Sequence, residues 1–123
     1  MQHDDLAARL LAALERGDDL ALATLLSPDC SLIVDADDRS AEGVRGRARV
    51  IRALRTRLTR HPDASLRTVH VNGGPGLALR RGDGMIIGVL VLGQGDDDSV
   101  VELWLSTAPE KLAHWNRRRP ETN

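Results

Sequence analysis

Leucines recur at helical spacing through the first quarter of the chain. Between Asp4 and Glu15 they fall on one face, and Gly17 follows as a C-terminal stop. Asp18 and Asp19 are suited to cap a second, short helix, which Pro28 ends. The pattern predicts two amphipathic helices packed as a corner. Their apolar residues are Leu6, Leu10, Leu11, Leu14, Leu20, Leu22, Leu25 and Leu26.

The next segment predicts one strand and then one long helix. Residues Cys30 to Asp35 are short, apolar and partly β-branched, which is typical of a strand. Residues Gly43 to Arg60 return to helical periodicity, and His61 and Pro62 end that helix. Its apolar face carries Val50, Ile51, Leu54 and Leu58, and its opposite face carries Arg45, Arg49, Arg52, Arg55 and Arg60.

The arginine face of this third helix has two interpretations. A solvated helix surface is the usual one, and a docking surface for an acidic partner or for phosphate is the other. No aromatic residue lies among these arginines to provide the stacking platform of a single-strand nucleic-acid binder.

The second half of the chain predicts four consecutive strands. They cover residues 65–72, 76–81, 85–92 and 100–105, and the breaks between them contain the Gly and Asp of hairpin connections. Helices followed by a strand meander indicate an α+β fold, with the helices packed on one face of a curved antiparallel sheet. The length of 123 residues predicts a single domain over 1–123, with an ordered core over about 4–116 and a basic tail over 117–123.

Composition excludes several function classes. The chain has no Tyr and no Phe, so a mechanism that needs a phenol is excluded. The single cysteine, Cys30, is expected to be a small buried hydrophobe, and it leaves no intramolecular disulfide and no cysteine-based zinc site. With a net charge of −1 and no signal segment, we expect no direct nucleic-acid binding, no membrane association and a cytoplasmic location.

No cofactor or metal is expected. The acidic clusters at 35–38 and 96–98 lack the glycine and distal glutamate of a calcium-binding loop, and the four histidines are scattered. Gly73, Gly74 and Gly76 precede a strand instead of a helix, which is wrong for a phosphate-binding loop.

The stretch from Val71 to Gly76, with three glycines and Pro75, marks a tight backbone-defined corner. It is followed by an apolar strand ending in Arg80 and, later, by the segment Pro109 to Leu112. In this order of elements the chain resembles the SnoaL-like branch of the nuclear-transport-factor-2-like (NTF2-like) superfamily, and more narrowly the C-terminal domain of extracytoplasmic-function sigma factors. The acidic segment 35–39 departs from the glycine-rich segment expected in those sigma-factor domains.

The resemblance implies a cone of four to six strands, antiparallel or mixed, around about three N-terminal helices, often with an internal pocket. It also implies a homodimer through the outer face of the sheet. Such domains range from cyclases and isomerases to regulators, and in the sigma factors the domain contacts the transcription machinery. Fold alone does not choose among these.

Strand alternation raises one enzymatic hypothesis. Thr68, His70 and Asn72 share one face of a predicted strand, and Glu102 and Trp104 share one face of another. If both faces line a pocket, His70 would be the general acid or base of a cyclisation, isomerisation or hydration. In that reading Glu102 or Asp35 orients the histidine, and Thr68, Asn72 and Trp104 shape the substrate site.

The alternative places those polar residues on the outer face, as in any half-solvated antiparallel sheet. The pocket is then lined by Val69, Val71, Val101, Leu103 and Leu105. That lining favours a small apolar or amphipathic ligand, or a filled interior. The resemblance to the sigma-factor domains makes the first choice a non-catalytic, dimeric pocket domain that binds such a molecule or a regulatory protein partner, with the enzyme second and a structural dimerisation module third.

Overall fold

Four helices and six strands make up the part of the chain that the computed structural model describes, which is residues 2–35, 41–71, 74–96 and 98–117. The elements are α1 (Gln2–Arg16), α2 (Asp19–Leu25), β1 (Leu26–Asp35), β2 (Ala41–Arg45), α3 (Arg47–Thr59), β3 (Ser65–Val71), β4 (Gly74–Arg80), β5 (Ile86–Gln94), β6 (Val100–Ser106) and α4 (Pro109–Arg117). The predicted α+β class is confirmed.

All six strands form one mixed sheet in the order β2-β1-β6-β5-β4-β3. Strands β3 to β6 form the predicted antiparallel meander. β1 pairs antiparallel with β2 and parallel with β6, so the first strand lies next to the last.

Helices α1, α2 and α3 cover one face of the sheet, which we call the inner face. Leu32, Leu103 and Leu77 lie on it and are fully buried against helix residues such as Leu10 and Leu22. Because the chain has no Tyr or Phe, this core is built almost entirely from aliphatic side chains.

The corner between α1 and α2 follows the sequence prediction closely. Gly17 ends α1 with a φ of 63°, which an L side chain adopts only with strain. Asp18 is the N-cap of α2, and its Oδ1 accepts a hydrogen bond from the amide of Ala21 at 3.1 Å.

Three local predictions were wrong. Pro28 does not end a helix, since α2 stops at Leu25 and Pro28 lies within β1. The ladder between β1 and β6 shifts register between Leu26 and Ser31, so the missing N–H of the proline falls where pairing is interrupted. Residues Gly43 to Arg45 belong to strand β2 rather than to the third helix, and α4 was not predicted.

Helix α4 packs against the outer face, opposite the other three helices. Leu112 and Trp115 join Ala78, Val89 and Ile86 in a second, smaller apolar cluster. The amide of Ile86 donates to Oδ1 of Asn116 at 2.8 Å, and Nδ2 of Asn116 donates to the Ile86 carbonyl at 3.2 Å. This side chain therefore fastens the end of α4 to the start of β5.

The turn between β4 and β5 is held by an ion pair. Nη2 of Arg81 lies 2.7 Å from Oδ2 of Asp83, and the Arg81 Nε donates to Oδ1 at 3.2 Å. The amide of Met85 also donates to Oδ1, at 3.0 Å. The hydrogen bond from Arg81, with that from Met85, lowers the pKa of Asp83 from 3.8 to about 2.

We expect the stabilising effect of Asp83 to be lost in acid. Because the pKa of the folded state lies below the ordinary value of 3.8, the carboxylate stabilises the fold above about pH 4 and ceases to do so as the pH falls towards 2. Urea unfolding of the wild type and of Asp83→Asn at a series of pH values measures this. The two free energies of unfolding should differ at pH 6 and converge near about pH 2. Arg81→Met removes the partner of Asp83, so in that background Asp83→Asn should change the free energy of unfolding much less at pH 6. A difference between the wild type and Asp83→Asn that stays the same at every pH would contradict the assignment.

Some sequence predictions lie outside the described residues. These are the ligand-binding role of Asn72 and the basic tail beyond residue 117, together with the acidic residues at 37, 38 and 97. In the part of the chain that is described, no helix is both long enough and apolar enough to cross a membrane.

Candidate functional site

The described residues leave a small cavity between the helices and the inner face. A cavity of only about 40 Å³ lies between α1, α3 and strands β3 to β6. Its walls are Leu14, Leu54, Arg57, Leu58, Leu66, Leu77, Leu79, Gly88, Leu90 and Leu105. Neither His70 nor any carboxylate lines it, so this cavity has the apolar surroundings expected of packing and no acid–base pair.

His70 lies on the inner face but at the margin of the sheet. Register pairs Thr68 with the buried Leu77 and His70 with Pro75, which places both polar residues on the helix-covered side. They are nevertheless exposed, because β3 is the outermost strand. His70 takes part in an interaction there and is not a free group.

Glu102, Trp104 and Asp35 lie on the outer face. Trp104 pairs with Ile33 on one side and Val91 on the other, and Asp35 pairs with Ser106 one row away. The expectation that the polar rows of β3 and β6 lie side by side is wrong: two strands separate them, and register places them on opposite faces.

The predicted apolar pocket residues divide between the two faces. Leu103 and Leu105 face the interior, as the apolar alternative predicted. Val69 and Val71 face outward instead, where they pack, as Trp115 does, against the buried cluster that includes Leu112 of α4. A pocket formed jointly by these valines and leucines does not exist in the described structure.

An apolar row crosses the outer face at its centre. Direct cross-strand pairing aligns Ile33, Trp104, Val91, Gly76 and Val69 on five neighbouring strands. Trp104 is 41% exposed. Alternation within β6 predicted that Trp104 faces away from the leucines, but Ile33 and Val91 were not predicted to flank it, because that contact depends on register.

Cys30 is fully buried in the core, as the sequence predicted. Burial raises the pKa of its thiol, and the nearby Arg47 guanidinium opposes this rise. A buried thiol with a raised pKa is a poor nucleophile. Among the described residues, no group of three or more His, Cys, Asp and Glu side chains is placed to hold a metal ion.

Helix α3 carries a positive surface. Arg47 turns inward, and its Nη1 donates to the carbonyls of Ala23 at 3.1 Å and Leu26 at 3.4 Å. Arg55 pairs with Asp19 at the start of α2. Arg49 and Arg52 point to solvent, so the predicted arginine face forms in part: Arg45 lies in β2, and Arg60 lies just beyond the end of α3.

No protein-family model matches the sequence, and no curated protein is detectably similar to it. Solved structures are similar in fold. The extracytoplasmic function sigma factor SigJ of Mycobacterium tuberculosis matches with a TM-score of 0.66 and 22% identity, over 90% of this chain and 44% of that chain.

Two smaller proteins match over most of their own length. An NTF2-like protein of unknown function from Mesorhizobium loti has a TM-score of 0.63 and 15% identity, over 85% of this chain and 89% of that chain. A SnoaL-like protein of unknown function from Burkholderia thailandensis has a TM-score of 0.60 and 16% identity, over 85% of this chain and 92% of that chain. The fold is therefore that of SnoaL-like and NTF2-like proteins, as the sequence resemblance predicted.

Proposed function

We propose that this chain is a non-catalytic protein-interaction domain that pairs with a second copy of itself and acts in regulation. The observation that carries the proposal is the small size of the cavity that the described residues enclose. A small-molecule site usually encloses about 300 to 1,000 Å³. The interior cavity of about 40 Å³ is far smaller.

The separation of the titratable residues also supports a non-catalytic role. In general acid–base catalysis the base lies within hydrogen-bond reach of its orienting group and of the substrate, so both groups face the same site. His70 lies on the inner face of the outermost strand, and Glu102 lies on the outer face of a central strand. The likeness to a sigma factor supports a regulatory role, in which the partner would be a protein of the transcription machinery.

Native mass spectrometry of the protein purified without added ligand tests this function. We expect a mass equal to twice that of the chain, with no additional small molecule. A metabolite that co-purifies in stoichiometric amount and is released on denaturation would contradict the proposal. It would also restore the alternatives of an apolar-ligand binder and an acid–base enzyme, for which His70→Ala is the direct test.

The outer face supplies the surface for self-association. Trp104 is large, apolar and 41% exposed, and Ile33 and Val91 flank it on the neighbouring strands. Tryptophan is enriched at the centre of protein interfaces, where an exposed ring contributes most on burial. A two-fold axis near Trp104 would place this row against its own copy.

Trp104→Glu is expected to convert the dimer to a monomer, because it places a carboxylate in the proposed interface. Light scattering coupled to size-exclusion chromatography gives the mass. The protein should be at about micromolar concentration, where a dimer with an interface of standard size is associated. Leu20→Glu is the control, since Leu20 is 78% exposed on α2, away from the sheet. It should remain dimeric. A wild type that is monomeric, or a Trp104→Glu variant that stays dimeric, would contradict this interface.

A further inference from the structure

A positively charged groove runs between α3 and strand β2, which we call the arginine groove. It has a volume of about 530 Å³ and opens to solvent on the side of the molecule that carries the helices. Its lining consists of Val44, Arg49, Arg52, Ala53, Thr56 and Arg57.

The charges of this groove are not balanced within the described structure. The segment from Gly43 to His61 contains no Asp or Glu. Arg55 and Arg81 form ion pairs, whereas among the described residues no ion pair engages the three arginines that line the groove. Their positive charge is therefore available to a partner.

The spacing of the arginines matches an extended partner better than a single small anion. The first and last of them, Arg49 and Arg57, are eight positions apart along α3, which corresponds to about 12 Å. Arg52 lies between them and is exposed. One carboxylate or phosphate cannot contact both ends of such a row.

The lining between the arginines is apolar. Val44 on β2 and Ala53 on α3 are partly buried and pack against the core cluster from the groove side. A ligand that fits this surface combines negative charges with at least one apolar side chain.

We propose that the arginine groove binds an acidic, amphipathic peptide segment of a protein partner. Its Asp or Glu side chains would meet Arg49, Arg52 and Arg57, whose planar guanidinium groups accommodate carboxylates in a bidentate manner. An apolar side chain of the same segment would lie on Val44 and Ala53. This inference rests on the proposed function, because it identifies the class of partner that a protein-interaction domain would receive.

Nucleic acid fits the same surface less well. The net charge of −1 means that a long polyanion meets repulsion beyond the groove. No aromatic residue lines the groove to stack a base, and the sugar–phosphate backbone offers little to the apolar floor.

Fluorescence anisotropy with a labelled helical peptide of Glu and Leu repeats tests the proposal on the full chain. A peptide with Gln in place of every Glu and a labelled DNA duplex are the comparison probes. We expect the acidic peptide to bind more tightly than either, with an affinity that falls as salt is raised. Arg52→Glu combined with Arg57→Glu should weaken binding about tenfold or more. Val44→Thr keeps the shape of the side chain and adds a hydroxyl to the apolar part of the groove. It should weaken peptide binding less than the double arginine variant does.

Arg9→Glu combined with Arg16→Glu is the matched control, because both arginines are exposed on α1, outside the groove and away from the outer face of the sheet, and the net charge changes equally. It should bind the acidic peptide like the wild type. Equal losses in both double variants, tighter binding of the duplex, or no binding of the acidic peptide would each overturn the proposal. Measuring mass on the same samples separates this test from the dimer: the groove variants should keep the mass of the wild type whether or not the peptide binds.

Discussion

Replacing Gly76 by alanine is expected to destabilise the fold by about 3 kcal/mol. Gly76 lies in β4, between Val69 of β3 and Val91 of β5. A Cβ at this position would lie 2.6 Å from the carbonyl oxygen of Leu90 and 3.2 Å from Cγ2 of Val71. The oxygen belongs to the backbone of a neighbouring strand, so relief requires that the strands separate and their hydrogen bonds lengthen.

Thermal and urea unfolding of Gly76→Ala, followed by circular dichroism, measure this effect. A loss of about 3 kcal/mol in a domain of this size lowers the melting temperature by roughly 10 °C or more. Gly43→Ala in β2 is the matched control, because a Cβ there meets no atom within 4 Å. It should change stability by less than about 0.5 kcal/mol. If the two variants unfold alike, the close approach at Gly76 is not a constraint on the fold.

Leu103→Ala should have an effect of similar or larger size, about 2 to 5 kcal/mol. Leu103 lies on β6, pairs with Leu32 and Leu92 on either side, and is 0% exposed. Its removal takes away the transfer free energy of the side chain and leaves a cavity in the centre of the inner face. No aromatic side chain lies in the main core cluster to move into that space.

The same substitution at an exposed position provides the control. Leu20 is 78% exposed on α2, so Leu20→Ala removes little buried area and introduces a better helix former. Its free energy of unfolding should stay within about 0.5 kcal/mol of the wild type. A Leu103→Ala variant as stable as Leu20→Ala would mean that Leu103 is not at the centre of the core.

Local patterns were sufficient to predict most of the elements. The leucine spacing before Gly17 predicted α1, and the Gly- and Asp-containing breaks predicted the hairpins of the meander. The failures have physical causes. Residues Gly43 to Arg45 pair with β1 as a strand, and that pairing is a long-range contact which overrides the local helical pattern. The sequence does carry signals for α4, because Pro109 occupies the first helical position and Leu112 and Trp115 follow at helical spacing.

The candidate site was less predictable, because it depends on how strands pair. Alternation correctly separates His70 from Val69, and Trp104 from Leu103, within each strand. Which residues of two strands share a face is set by strand order and register, and neither is encoded in a single-strand pattern. The intervening strands β4 and β5 place the two polar rows on opposite faces. Arg49, Arg52 and Arg55 lie on α3 as the helical spacing predicted, because that spacing does not depend on strand register, whereas Arg45 lies in β2.

The parallel pairing of β1 with β6 also affects how the chain reaches its native state. It joins residues Ser31 to Asp35 with residues Glu102 to Ser106, which are separated by most of the sequence. Contacts of such high sequence separation carry a large loop-closure entropy and slow folding. β1 and β2 cannot be attached to the rest of the sheet until β6 has been synthesised. The meander of β3 to β6 is therefore expected to assemble first. The later pairing of β1 with β6 is expected to be the slow step of folding.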